Sequence, residues 1–235
     1  MVSAQLIDSF FDKRVQVPDS RVYPWVVHGM VEAKFPKIGT YRGTGTLISS
    51  NCFVTAAHCL FMKGTYASSV SFYVGIHGRV PLAETKAESF FVHRKYPDDE
   101  NYGYDIGIVK VKDDFGKLYG AASLVAYDIH ALHKMRVNVA GYPGSKRFHE
   151  ILFGRPSHDL YTMEGPIQSV NDHKVFYDID TSGGQSGAGV WVRGKDDILE
   201  CVGVHTTGSK VEGNGAVRIN QENGEILKEW LDKLH

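Results

Sequence analysis

No stretch of this 235-residue chain approaches the eighteen or so consecutive apolar residues that a membrane helix needs; the longest apolar runs are of the order of residues 70–74. Nothing in it is expected to span a bilayer. The N-terminal stretch MVSAQLIDSFFDKRVQV lacks a basic start, an apolar run and a small-residue cleavage site, so it does not read as a secretory signal; a leader removed upstream is compatible with this reading. Charge of one sign is lacking as well. With 26 basic and 27 acidic residues the formal charge is −1, which argues against a broad nucleic-acid or membrane-surface footprint. Cysteine is scarce: Cys52, Cys59 and Cys201 are too few for a disulfide scaffold, and an odd count leaves at least one thiol unpaired within the chain. There is no tandem repeat, no low-complexity tract and no phosphate-binding glycine signature. His130 and His133, three apart with Asp128 nearby, find no second convergent cluster, so no metal site is expected.

What is present is ordinary in bulk and patterned in detail. Apolar residues make up 43% and charged residues 23%, values of a globular chain long enough for a sizeable core. The 25 glycines fall mostly between short runs rich in Val, Ile, Phe and Tyr. Those runs predict strands at 25–32, 45–48, 52–56, 70–75, 89–92 and 106–111, and again at 136–140, 163–170, 175–178, 189–192, 201–205 and 215–218. Strands so spaced, with turn signals between them, indicate an all-β sandwich or barrels rather than βαβ units. The exception is 222–234, where Ile226, Leu227, Trp230, Leu231 and Leu234 recur at helical spacing; Asn220 or Asn223 is placed to cap that C-terminal helix. A polar, glycine-containing stretch at 113–122 suggests two halves, 1–118 and 119–235.

Three segments carry chemistry. GTGTLISSNCFVTAAHCL sets His58 beside the small residues Ala56 and Ala57. YGYDIGIVKV puts Asp105 at the start of an apolar strand, where a carboxylate can be buried beside an imidazole. DIDTSGGQSGAGVW flanks Ser186 with Gly183, Gly184 and Gly187, so the backbone can turn tightly and approach a substrate closely. Each has a bland reading alone: a structural histidine, a strand-end turn residue, a common glycine turn. Together they supply a nucleophile, a base and an orienting acid for acyl transfer. His58 takes the serine proton, Asp105 holds the tautomer, and the backbone N–H groups of Gly184 and Ser186 are candidates for the oxyanion hole. The chain order His58, Asp105, Ser186 is that of chymotrypsin-type enzymes; an α/β-hydrolase order would squeeze Ser186, Asp196 or Asp197 and His205 into about twenty residues.

The segments DSRVYPW, GTGTLIS, TAAHC, YDIGIVKV, VAGYPG, DIDTSGGQSGAGVW, VGVHTTG and NGAVRIN, in this order, resemble the chymotrypsin-fold serine peptidases, and among them the glutamyl endopeptidases that include V8-like enzymes and exfoliative toxins. The resemblance implies a chymotrypsin-like double β-barrel, with His58, Asp105 and Ser186 between the barrels. It also implies a secreted protein, a protein or peptide substrate, a monomer and no cofactor. By the same resemblance, Thr181, His205 and Thr206 line the pocket for the residue before the cleaved bond, with His205 receiving an acidic side chain as an imidazolium.

Three positions complicate the resemblance. Asp180 stands where trypsin-like enzymes keep the acid that binds Lys or Arg, so it is expected to point away if the pocket takes Glu. Gln185 stands where trypsin-like zymogens carry the aspartate that pairs with a newly cut N-terminus, so activation by that ion pair is unavailable. Gly43 stands where the fold often has a cysteine bridged to Cys59, so Cys59 is expected to be a free thiol. The rivals are trypsin-like cleavage through Asp180, and a toxin-like binding module on the same fold with narrow or no proteolysis.

Overall fold

The computed structural model describes residues 12–98, 100–144, 158–209 and 213–234. Its first barrel is built from β2 (His28–Phe35), β3 (Gly39–Leu47), β4 (Cys52–Thr55), β7 (Ser69–Val74), β8 (Ala83–Val92) and β9 (Gly107–Val111), closed in the order β2-β3-β4-β9-β8-β7. Two short strands, β5 (Phe61–Met62) and β6 (Thr65–Tyr66), pair with each other outside it. Strand β7 shows why such segments form: in SVSFYV, Val70, Phe72 and Val74 point inward while the residues between them stay at least partly exposed, the two-residue period of a half-buried strand. Phe72 stacks on Phe53 in that core, ring centroids 4.1 Å apart.

The second barrel comprises β11 (Arg136–Gly141), β12 (Tyr161–Val170), β13 (Lys174–Tyr177), β14 (Gly189–Arg193), β15 (Leu199–Ser209) and β16 (Gly213–Arg218). Their order is β12-β11-β14-β15-β16-β13, and antiparallel pairing of β12 with β13 closes the ring. Two further strands join this sheet: β10 (Ser123–Leu124) beside β15, and β1 (Val15–Gln16) beside β12. The first strand of the chain therefore belongs to the second barrel's sheet.

The C-terminal helix, Gln221–Leu234, is capped by Asn220, whose Oδ1 accepts the Asn223 N–H at 2.8 Å. Leu227, Trp230 and Leu234 bury against Val54, Ile106 and Ile108 of the first half and Val204 and Val217 of the second. Each buried side chain of this kind contributes about 1.5–3 kcal/mol, so the helix acts as a clasp across both barrels.

Two sequence expectations shift. Residues 25–27 form a single 3-10 turn rather than strand: the His28 N–H closes onto the Trp25 carbonyl, and the chain enters it from a turn in which the Trp25 and Val26 N–H groups both donate to the Val22 carbonyl at 2.9 and 3.0 Å. Strand β8 begins at Ala83, well before residue 89: Glu84, Lys86 and Glu88 give it no apolar signature, but its backbone pairs with β7 (Ser71 with Lys86, Val74 with Ala83), and that pairing overrides composition.

Candidate active site

Antiparallel pairing of β4 with β9 ends at Thr55 opposite Gly107. The chain leaving β4 and the chain entering β9 thus run side by side, and a 3-10 turn over Ala57–Cys59 swings His58 toward Asp105. Asp105 is fully buried and accepts twice from one residue: the His58 backbone N–H donates to Oδ1 at 2.9 Å, and its Nδ1 lies 2.6 Å from Oδ2. The imidazole is thereby held with Nδ1 toward the carboxylate and Nε2 free to work on the other side. Burial pushes the His58 pKa down, but the charge and hydrogen bond of Asp105 outweigh it and leave the group well above the ordinary 6.5.

Ser186 arrives from the second half. Its carbonyl accepts the Thr44 N–H at 2.7 Å, and the Cys59 thiol lies 3.7 Å away. On the far side the Gly187 N–H donates to the His205 carbonyl at 2.7 Å and the His205 N–H to the Ala188 carbonyl at 2.8 Å, lacing the serine turn to β15. A Cβ on Gly187 would lie 2.1 Å from Thr55 Oγ1 and 2.2 Å from the Thr44 carbonyl, so only glycine lets the two halves approach this closely. Tyr41 packs against the base: its ring meets the His58 imidazole edge-on at 5.9 Å. Ser186 and His58 make no direct hydrogen bond, a looseness usual in a site without substrate.

Peptide directions around the serine follow from three anchored carbonyls. The Gly183 carbonyl accepts from the Gly144 N–H at 2.6 Å, the Gly184 carbonyl from Thr44 Oγ1 at 2.8 Å, and the Gln185 carbonyl from the Ala188 N–H at 3.0 Å. In a trans peptide the N–H points opposite to the carbonyl. The Gly184 and Ser186 N–H groups therefore point away from these anchors, and neither has an acceptor among the described residues. Gly184 sits at φ +94, and a Cβ there would fall 2.5 Å from both the Gly144 nitrogen and the Tyr142 carbonyl. Two adjacent unpaired donors of this kind are what a developing oxyanion requires.

The expected pocket residues lie on both sides of this turn. Thr181, His205 and Thr206 are all buried, and the Thr206 hydroxyl has no partner among the described residues. A register shift in β15 between His205 and Thr207 marks a bulge, the usual device for re-aiming a side chain beside a site. His205 is 3% exposed and its Nδ1 lies 2.7 Å from the Tyr177 hydroxyl. Burial lowers its pKa to about 3, and raises that of Tyr177 well above 10. Burial thus favours the neutral form of the ring, whereas the imidazolium expected from the sequence is the form that a bound carboxylate would favour. Asp180 is engaged elsewhere, its Oδ2 accepting the Lys13 backbone N–H at 2.9 Å.

Cys52, Cys59 and Cys201 are free and buried. Gly43 does face Cys59, with a hypothetical Cβ only 2.6 Å from its sulfur. Asp128 caps a short helix, accepting the Ala131 N–H at 2.9 Å, which places His130 and His133 on an ordinary surface turn. Sequence reasoning missed Tyr41, Tyr177, Thr44 and a buried Arg14. Their partners are distant in the chain, and no local motif marks them.

The sequence profile of the trypsin family, described as "Trypsin", matches residues 14–223. The chain belongs to the trypsin family. This serine peptidase is similar to the glutamyl endopeptidase of Bacillus licheniformis, 28% identical over 233 residues that cover 93% of this chain and 67% of the relative. It is also similar to a Bacillus subtilis protein named extracellular metalloprotease, 23% identical over 225 residues, covering 94% of this chain and 69% of that one. A metal finds no fitting donor set here: among the described residues no three His, Cys, Asp or Glu side chains converge to hold one. A solved structure of a Glu endopeptidase in complex with MPD superposes with a TM-score of 0.77, at 23% identity, covering 93% of this chain and 96% of that one, a likeness of fold. No helix among the described residues is long and apolar enough to cross a membrane.

Proposed function

We propose that this trypsin-family peptidase cleaves peptide bonds after acidic residues, Glu foremost, through an acyl-enzyme on Ser186. Asp105 orients His58, whose Nε2 takes the proton as the Ser186 oxygen attacks the substrate carbonyl. The oxyanion that forms is received by the Gly184 and Ser186 N–H groups; His58 then returns the proton to the leaving amine, and water repeats the sequence to release the acid. The set needs no cofactor. The observation that carries this reading is the doubly bonded His58–Asp105 pair beside a serine whose flanking N–H groups have no acceptor among the described residues.

Acidic preference is supported by the pocket. With Nδ1 of His205 2.7 Å from the Tyr177 hydroxyl, Nε2 is the ring nitrogen left to donate to a carboxylate, and Thr181 and Thr206, both buried, add hydroxyls on the segments either side of the serine turn. The bond from Lys13 to Asp180 weighs against the rival in which Asp180 binds Lys or Arg. The names of the glutamyl endopeptidase relatives point the same way, and that of the Bacillus subtilis relative favours action outside the cell on protein substrates. The 1–118 and 119–235 halves then supply the base and the nucleophile respectively.

A fluorophosphonate probe should label the wild type and not Ser186→Ala, and a mixed-peptide digest should yield fragments ending in Glu. Fragments ending in Lys or Arg would transfer specificity to Asp180. Labelling with no cleavage would favour the narrow binding module.

A further inference from the structure

Arg14 is the least expected buried charge in the molecule. Its side chain is 2% exposed, and it lies between Asp12 and the turn that leads into Ser186. Asp12 grips it on one side: Nε and Nη2 donate to the two carboxylate oxygens at 3.0 and 2.9 Å, and the Arg14 backbone N–H adds a third bond at 3.0 Å. On the other side Nη1 donates both to Ser182 Oγ at 2.7 Å and to Gln185 Oε1. Gln185, 1% exposed and directly before Ser186, uses the same Oε1 to accept the Ser182 N–H at 3.0 Å, while its own N–H donates to the Ser182 carbonyl at 3.1 Å. One guanidinium thus pins both ends of the Ser182–Gln185 turn. The arginine is itself tied down, since β1 follows at once and the Val17 N–H donates to the Leu160 carbonyl at 2.9 Å.

The turn it pins sets the direction of the oxyanion donors. The Gly184 N–H belongs to the Gly183–Gly184 peptide, which lies between the two pinned ends of the turn, and the Ser186 N–H to the peptide that leaves its Gln185 end, so holding Ser182 and Gln185 limits where both donors can point. Gly184, with no side chain and φ +94, has little intrinsic preference to keep it there. Lys13, between the two gripping residues, gives its backbone N–H to Asp180, so the same strap occupies the one carboxylate that would repel an acidic substrate.

Resting on the acyl-transfer reading above, we infer that residues 12–14 are an internal prop of the oxyanion hole, with Arg14 a positioning residue that acts through Gln185 and Ser182. A cation within the chain does this work, so no newly exposed N-terminal amine is needed, and trimming that removes Arg14 switches the enzyme off.

The test compares wild type, Arg14→Met, Arg14→Lys and Ser186→Ala on a Glu-containing chromogenic peptide. Two ligands are measured beside it: the matching peptide aldehyde, which forms a tetrahedral adduct with Ser186, and the product peptide acid, which does not. Arg14→Met should lose on the order of a hundredfold in kcat with KM changed less than about threefold, as expected for a weakened oxyanion donor. Aldehyde affinity should fall in step with kcat/KM while product affinity holds. Arg14→Lys, whose single ammonium cannot span both acceptors and the Asp12 fork, should lie between the two. A folded Arg14→Met within threefold of wild type in kcat, or a loss shared equally by product binding, overturns the inference. If Arg14→Met does not fold, Arg14→Lys carries the same comparison, with unchanged kcat as the refuting result. Failure of the underlying reading looks different: a wild type that cuts no peptide and takes no serine label.

Discussion

Replacing Asp105 with Asn keeps the shape of the side chain and removes its charge, and the two bonds to His58 make the consequence calculable. Asp105 accepts at both oxygens, from the backbone N–H at 2.9 Å and toward Nδ1 at 2.6 Å. An amide has one acceptor and one donor end. If its oxygen faces the backbone N–H, its NH2 faces Nδ1, which must then accept, and the imidazole proton moves to Nε2 where the serine proton should go. If it is turned round, two N–H groups confront each other in a site with no exposure at Asp105. Either way the productive tautomer is lost, and a fall of about 10⁴ in kcat is expected, equivalent to about 5.4 kcal/mol of transition-state stabilisation.

The pH profile gives a second reading of the same substitution. In the wild type His58 is raised above 6.5, so kcat/KM should climb with pH through an ionisation above that value. Its contribution to stability runs the other way, fully present below 6.5 and lost as pH rises through the raised pKa. In Asp105→Asn the raising charge of the carboxylate is gone and the acid limb should move to lower pH. Activity on a Glu peptide from pH 5 to 9, normalised by fluorophosphonate titration and accompanied by circular dichroism, measures both. A folded variant within tenfold of wild type, or an unmoved acid limb, would refute the geometry argued for the pair.

Four more expectations follow from other parts of the molecule. Because kcat/KM reports the free enzyme and His205 is lowered to about 3, preference for a Glu over a Gln peptide should stay constant between pH 5 and 8; a loss centred near 6.5 would contradict the burial of that ring. Tyr177→Phe, which removes its partner, should raise KM for acidic peptides about three- to tenfold and leave neutral peptides unaffected. Gly43→Cys should bridge to Cys59 across the 2.6 Å gap, leaving two titratable thiols in denaturant instead of three and adding about 3 kcal/mol in a urea melt; three or more thiols would show the pair misaligned. His28, His93 and His205, lowered by burial to about 3, 4 and 3, should make the fold lose stability as pH drops from 6.5 toward 4, by up to about 1.4 kcal/mol per pH unit for each; a flat urea midpoint over that range would argue that they are solvated.

The sequence by itself determined most of the strand framework and nominated the chemistry-bearing triplet. Period-two runs such as SVSFYV and the helical spacing of Leu227, Trp230 and Leu234 are local signals, because burial on one face is written into neighbouring residues. His58, Asp105 and Ser186 were legible because each sits in a segment whose small or apolar neighbours are themselves unusual. Strand β8 was half hidden, since pairing with β7 leaves no mark in a run as polar as AETKAES. Tertiary structure alone decided the burial of His205, which depends on how much water the second barrel excludes, and the engagement of Asp180 by a backbone N–H 167 residues earlier. It alone revealed Arg14, whose partners lie 168 and 171 residues away. A hydrogen bond depends on distance in space, and separations of that size become contacts only once both barrels have closed and the strand after Arg14 has joined the second sheet.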